Sequence, residues 1–214
     1  SIYQVVALLG ALAGQQLLGI GQIDSYELFS YATVLLILAM IPLSLTASGA
    51  PRPLQAVRPR IMWLITQSPV AVIGCALVGM ANGALWSMGP VYAHKSGLSI
   101  VEVGWFMSAV IAGGALTQWP IGRISDQFDR RWVIIGASTC SALIGVSFLV
   151  VEATGLEILL LKTACYGGFS LVLYSLCVAH VNDLVNPEDF IHVSSGMLLM
   201  FGAGAIGGPM LASA

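Results

Sequence analysis

An all-α membrane protein, a polytopic bundle of lipid-length helices, is the fold class this sequence predicts, and three observations predict it. The chain is 57% hydrophobic and 8% charged, with a mean hydropathy of +0.91. A water-soluble domain of 214 residues needs far more charge on its surface. The apolar residues fall into seven segments, each near or above the ~20 residues a helix needs to cross hydrocarbon. Short polar breaks separate the segments, and the few charges gather in those breaks.

The first span is expected over about Ile2–Gly21. Gln4, Ala11, Gln15 and Gln22 recur near one helical face, and Gly10 and Gly14 with their alanine neighbours permit close approach of another helix. The plain reading of Gln15 is an amide tolerated in tight packing; the functional one is a residue facing a polar cavity, where water satisfies it. After the turn at Asp24, Ser25 and Glu27, the second span runs over about Leu28–Thr46, nearly featureless apart from Pro42, as a peripheral helix facing lipid does. The longest break, Ala47–Ser68, holds Pro51, Pro53 and Pro59 with Arg52, Arg58 and Arg60. Within it, Ile61–Ile65 suits a short segment at headgroup level. This break is the expected boundary between two halves.

The third span, about Pro69–Ala93, carries Asn82 and Trp86 four residues apart, followed by Gly89 and Pro90. Breaks of that kind often line cavities. Core packing is the plain account of Trp86, whereas an amide at mid-depth such as Asn82 wants a partner. Ser99 and Glu102 have the spacing of a capping box opening the fourth span, about Ile100–Ile121, which makes Glu102 a helix-start residue before it is a proton carrier. The fifth span covers about Trp132–Val151 and the sixth about Leu156–His180. Lys162 sits about 9 Å into the sixth by helical rise. It either snorkels to the interface or faces a cavity beside Tyr166, where it would attract an anion. His180 closes that span next to Asn182 and Asp183 and titrates in the range of a pH sensor, though a histidine at an interface is commonly unremarkable. Asn186, Pro187, Glu188 and Asp189 then open the last span, which runs to about Ser213.

Several chemistries lack support. Cys75, Cys140, Cys165 and Cys177 all lie inside apolar segments without metal-ligand spacing, so neither a disulfide framework nor a zinc site is expected. Gly202, Gly204 and Gly207 spell a dinucleotide fingerprint, but no strand precedes them, and they read as helix-packing positions. No nucleophile lies in a histidine–carboxylate setting, so an enzyme is not expected, nor any cofactor or metal. No basic patch interleaved with aromatics invites nucleic acid. The N-terminus runs straight into apolar sequence without a basic leader, and the expectation is of a chain that begins partway through a larger protein.

The densest charge in the chain is Gly122-Arg123-Ile124-Ser125-Asp126-Gln127-Phe128-Asp129-Arg130-Arg131, between the fourth and fifth spans. A loop that only holds topology by concentrating basic residues inside accounts for the composition, but not for the order. That order resembles the signature loop of the major facilitator superfamily: glycine, any residue, leucine, alanine, aspartate, arginine, any residue, glycine, then two basic residues. Gly122, Arg123, Ile124, Ser125, Asp126, Arg130 and Arg131 fall in register with it, while Gln127 stands for the usual arginine and Asp129 for the usual glycine. Gly83–Ala93 also looks like the family's seventh helix.

The resemblance implies a twelve-helix transporter in which this loop, present once in each six-helix half, latches the cytoplasmic gate. The two basic breaks are two spans apart and so share one side, which the charge rule makes cytoplasmic. A signature loop after a fourth span, behind a basic linker, looks like the second copy. Residues 1–46 would then be the last two helices of the first half, 47–68 the interdomain linker, and 69–214 the second half without its last helix. The implied function is secondary active transport of a small solute by alternating access, as symporter or antiporter, in a bacterial inner membrane, with protons a candidate coupling ion. The partners would be the bilayer, the solute and the missing helices. Gln15, Asn82, Trp86 and Tyr166 are the candidate lining residues; Lys162, Glu102 and His180 are the candidate charge or coupling residues. Asp126 is expected to meet the positive start of the first helix, near Ser1–Gln4, and to pair with Arg123 and Arg130. The competing class is a helical membrane scaffold or sensor that transports nothing.

Overall fold

The computed structural model describes residues 2–17, 26–45, 60–150 and 155–213, and every regular element among them is helical. In order these are α1 (Ile2–Gln16), α2 (Glu27–Leu45), the short α3 (Ile61–Gln67), α4 (Pro69–Lys95), α5 (Ile100–Gln127), α6 (Arg130–Val150), α7 (Leu156–Asn182), a 3-10 turn (Pro187–Asp189) and α8 (Phe190–Ala212). Five of the described helices, α4 to α8 with its leading turn, are long and apolar enough to cross a membrane; α1 and the apolar stretch Glu27–Pro42 of α2 are shorter. The end expected for the first span, the turn at Asp24 and Ser25, and most of the proline-rich break lie outside the described residues.

Local chemistry sets the helix ends. The Ser68 side chain accepts from the Ala71 amide with Pro69 at the first position, so α4 starts where a cap and a proline coincide. The expected capping box at α5 is formed in both directions: Glu102 Oε2 accepts the Ser99 amide at 2.7 Å, and Ser99 Oγ accepts the Glu102 amide at 3.4 Å. At its other end, α5 does not stop at Ile121. It runs through Pro120 and on to Gln127, so most of the charged segment is the last two turns of a helix and not a loop. Nothing between Gly122 and Gln127 breaks a helix. The true break is Phe128 and Asp129 alone, where Asp129 Oδ1 accepts the Arg131 amide at 3.0 Å. The aspartate that departs from the family pattern thus caps the start of α6, two residues earlier than expected.

Packing rests on two helix pairs pressed together at glycines. Between α4 and α8, a Cβ built at Gly79 would lie 2.1 Å from the Phe201 carbonyl oxygen, one at Gly83 2.2 Å from that of Ala205, and one at Gly204 2.0 Å from that of Ala76. Between α5 and α7, a Cβ at Gly113 would lie 1.8 Å from the Ala164 oxygen and one at Gly167 2.2 Å from the Val110 oxygen. Small residues allow such contact where lipid supplies no hydrophobic drive, because association then depends on close van der Waals fit. The α7 helix joins the two pairs through Ser170 Oγ, which donates to Asn82 Oδ1 of α4 at 3.1 Å, while within the α5–α7 pair Thr117 Oγ1 donates to the Gly168 carbonyl at 2.6 Å.

α6 leans on α7, and α1 packs on α5. By contrast, Gly10 and Gly14 of α1, expected to admit a close neighbour, have open space where a Cβ would stand. The described side chains of α2 are exposed, apart from a half-buried Leu28. Of the segment expected at headgroup level, Leu64 instead plugs the end of the bundle, 1% exposed among Val72, Val181, Val193 and Met197, while Met62 on the same short helix is exposed.

Candidate functional site

The charged segment and the end of α7 build one polar recess of 620 Å³, lined among others by Ser125, Asp126, Asp129, Arg130, His180 and Asp183. Arg130 organises it. Its guanidinium donates to Asp126 Oδ1 at 3.0 Å, to Ser125 Oγ at 3.1 Å and, through Nε, to Asp183 Oδ2. Three acceptors on α5 and α7 converge on one planar fork at the first residue of α6, a task suited to arginine and not to lysine. Ser125 is 1% exposed and the Arg130 side chain 20%, whereas the carboxylates of Asp126 and Asp183 are 68% and 52% exposed. The clamp is therefore dry beneath and wet above.

The other residues of the segment are placed differently. Arg123 does not pair with Asp126 but stacks over the Trp119 ring, 5.5 Å from its centroid, a cation–π contact on the exposed side of α5. Arg131 is exposed at the rim of the recess. Gly122 has open space where a Cβ would stand. The expected meeting of Asp126 with the start of the first helix falls on Ser1 and on side chains of residues 2–6, outside the described residues. His180 is 8% exposed and faces Asp183, Asp129, Arg130 and Arg131.

The four lining candidates do not come together in one pocket. Asn82, 4% exposed, is buried against Ser170 in the α4–α7 contact. Tyr166 lines an apolar groove of 360 Å³ between α4 and α6, with its ring edge-on to Phe148 at 6.5 Å. Trp86 is 43% exposed and lies outside that groove's lining, and Gln15 is half-buried on α1. Among the described side chains of the first helix, the neighbouring amide Gln16 reaches another helix: its Nε2 donates to Ser108 Oγ of α5 at 2.9 Å. One residue along a helix turns a side chain by ~100°, so the face shared by Gln4, Ala11, Gln15 and Gln22, which singles out Gln15, is not the one from which Gln16 reaches α5. Lys162 and Glu102 line a recess of 530 Å³ with Tyr92 and Phe148 at the end opposite the basic one.

Sequence reasoning missed Asp183, Ser125, Ser170 and Ser108. For Asp183 a signal existed: an acid just past a span that ends on the side of the basic segment. Asn82→Ala is expected to cost about 0.6 kcal/mol in a thermal or detergent unfolding series, the usual size of an interhelical hydrogen bond in a membrane, because the freed Ser170 hydroxyl can bond back to its own helix. A loss above about 2 kcal/mol would mean that the amide does more than pair.

Comparison with known proteins adds a family to this geometry. Over 214 residues the chain is 26% identical to the uncharacterized MFS-type transporter YE1530 of Yersinia enterocolitica, covering 99% of this chain and 54% of that protein. It is 27% identical, with the same coverage, to the uncharacterized MFS-type transporter YpsIP31758_2592 of Yersinia pseudotuberculosis. It is 26% identical over 209 residues to the uncharacterized MFS-type transporter YcaD of Escherichia coli, covering 97% of this chain and 53% of that protein. The chain thus spans about half the length of the curated relatives it matches, and no solved structure matches it. Residues 71–214, which hold α5 to α8, nearly all of α4 and the whole arginine clamp, match the Major Facilitator Superfamily, and the chain, a multi-pass membrane protein, belongs to that family.

Proposed function

We propose that the protein of which this chain forms about half is a secondary active transporter, moving a small solute by alternating access in a bacterial inner membrane. Residues 1–46 are, in this reading, the last two helices of its first half, 47–68 the linker, and 69–214 the second half without its last helix. The observation that carries the proposal is the arginine clamp: a charged segment of superfamily order whose Arg130 ties the ends of α5 and α7 together. Such a clamp keeps the gate end of the half stiff, so that the half turns as a body when the gate parts. Asp126, with most of its carboxylate in water, keeps acceptor capacity for a contact across the gate. The solute path runs between the halves at mid-depth, as in transporters built from paired repeats. The apolar and aromatic character of the spans favours a neutral or amphipathic solute. Proton coupling draws on about 2.3 kcal/mol per charge at ~100 mV, and the coupling carboxylate then sits in helices this chain does not contain.

The test is flux through the full-length protein in proteoliposomes that hold a pH-sensitive dye, challenged with solutes class by class, with and without an imposed proton gradient. Solute-dependent flux is the expected result. Folded, inserted protein that moves no solute in either regime would favour the scaffold class. Within the same assay, Asp126→Asn is expected to cut flux several-fold without reducing insertion and to raise labelling of the cytoplasmic crevice by an impermeant thiol reagent. Unchanged flux and labelling would remove Asp126 from the latch.

A further inference from the structure

Among the described residues, the helices of the bundle meet in more than one way. α4 with α8 and α5 with α7 touch backbone to backbone at glycines, where an added Cβ would stand 1.8–2.2 Å from a carbonyl oxygen. Contacts that tight do not slide; packed interiors are bistable and not continuously deformable. Where α1 rests on α5, the two described glycines of α1, Gly10 and Gly14, face open space and make no contact of that kind. Among the described residues, α1 is joined to α5 in polar terms by the hydrogen bond from Gln16 Nε2 to Ser108 Oγ. Ser108 is 9% exposed and lies about 12 Å from the start of α5 by helical rise, and about 27 Å along the same helix from Asp126. The bond thus sits at the opposite end of α5 from the arginine clamp.

We propose that Gln16 and Ser108 form a tie that closes the end of the α1–α5 interface opposite the basic segment, and that the tie opens in one of the transporter's two states. This rests on the transporter reading. The buried Ser108 hydroxyl needs a partner, and the amide of Gln16, itself an exposed residue of α1, supplies it. When α1 draws away from α5 they lose each other: the Ser108 hydroxyl can bond back to its own helix, and the Gln16 amide is left to water entering the gap. Rupture of the tie therefore hydrates the Gln16 side of that end. An interhelical hydrogen bond in a bilayer contributes enough to change a two-state ratio by about threefold, which keeps the end shut without locking it.

The experiment uses full-length protein in lipid nanodiscs, free of native cysteines, with spin labels at Ala13 on α1 and Val101 on α5, and reads the distance distribution between them. Wild type should show a shorter and a longer distance. Ser108→Ala and Gln16→Leu should each raise the ratio of longer to shorter about threefold, and the double variant should also give about threefold, because the second change removes a bond already lost. Two distances whose ratio neither variant moves would overturn the tie and leave the rocking movement intact. Effects that multiply in the double variant would show the residues acting separately, which also overturns it. A single distance in wild type and all variants would bring down the rocking movement and the tie with it.

Discussion

Gly113→Ala should lose stability at the upper end of the range for an overpacked site, about 3 kcal/mol, although it adds one methyl group and raises helix propensity. The Cβ would stand 1.8 Å from the Ala164 carbonyl oxygen and 2.6 Å from its carbon. Both obstacles are backbone, so no rotamer relieves the clash and α5 must move off α7. That separation undoes the reciprocal contact of Gly167 with the Val110 carbonyl and stretches the Thr117 bond to Gly168. Two neighbouring substitutions calibrate the effect. At Gly114 the new Cβ would meet Leu171 Cδ1 at 2.7 Å, the mobile end of a side chain, so Gly114→Ala should cost clearly less. At Gly136 nothing lies within 4 Å, and alanine there should be neutral or stabilise by up to about 1 kcal/mol through propensity alone. Thermal unfolding of the three variants of the full-length protein in one detergent provides the check. Equal midpoints would mean that the glycine contacts do not hold this pair of helices.

The three glycines also show where a sequence stops being informative. Gly113, Gly114 and Gly136 are the same letter in similar apolar surroundings, and only the register between helices, set by pairings fifty or more residues apart, separates an interlock from an idle position. Local signals served better: Ser99 with Glu102 and Ser68 with Pro69 mark the starts of α5 and α4 because a cap acts within one turn. Spans were legible because the number of apolar residues needed to cross lipid is fixed by its thickness. The charged segment was legible as a motif but not as a shape. Its order points to the family, but polar composition suggested a loop where Gly122–Gln127 continues the helix. Asp129 stands out in the sequence as a departure from the family pattern, but its work as a cap depends on where α6 begins. Asp183 could be placed on the basic side from the sequence, but its pairing with Arg130, 53 residues away, is a fact of the packing between α6 and the end of α7.

Replacing Arg130 by alanine should loosen the basic end of the bundle more than any other single change of charge. The side chain serves Ser125 on the buried side and two carboxylates on the wet side. Its loss leaves Asp126, Asp129 and Asp183 lining one recess with Arg131 as the remaining arginine at its rim. The expected cost is about 1–2 kcal/mol: a buried hydroxyl loses a charged partner, while the wet carboxylates are well screened and contribute little each. Arg130→Lys should recover about half, because an ammonium meets one carboxylate at a time where the guanidinium fork spans both. Adding Asp183→Asn to Arg130→Ala should restore stability in part by removing an anion that has lost its partner, which a purely steric role for Arg130 would not predict. Raising ionic strength from 50 mM to 500 mM should narrow the gap between wild type and Arg130→Ala, since the two exposed carboxylates are the screened part of the clamp. Hydrogen exchange at the amides of residues 122–131 and 180–185 reports the loosening directly. Protection that is identical in wild type, Arg130→Ala and Arg130→Lys would mean that the clamp stiffens nothing, and the basic end of the bundle would then have to be held by the Leu64 plug and the glycine contacts.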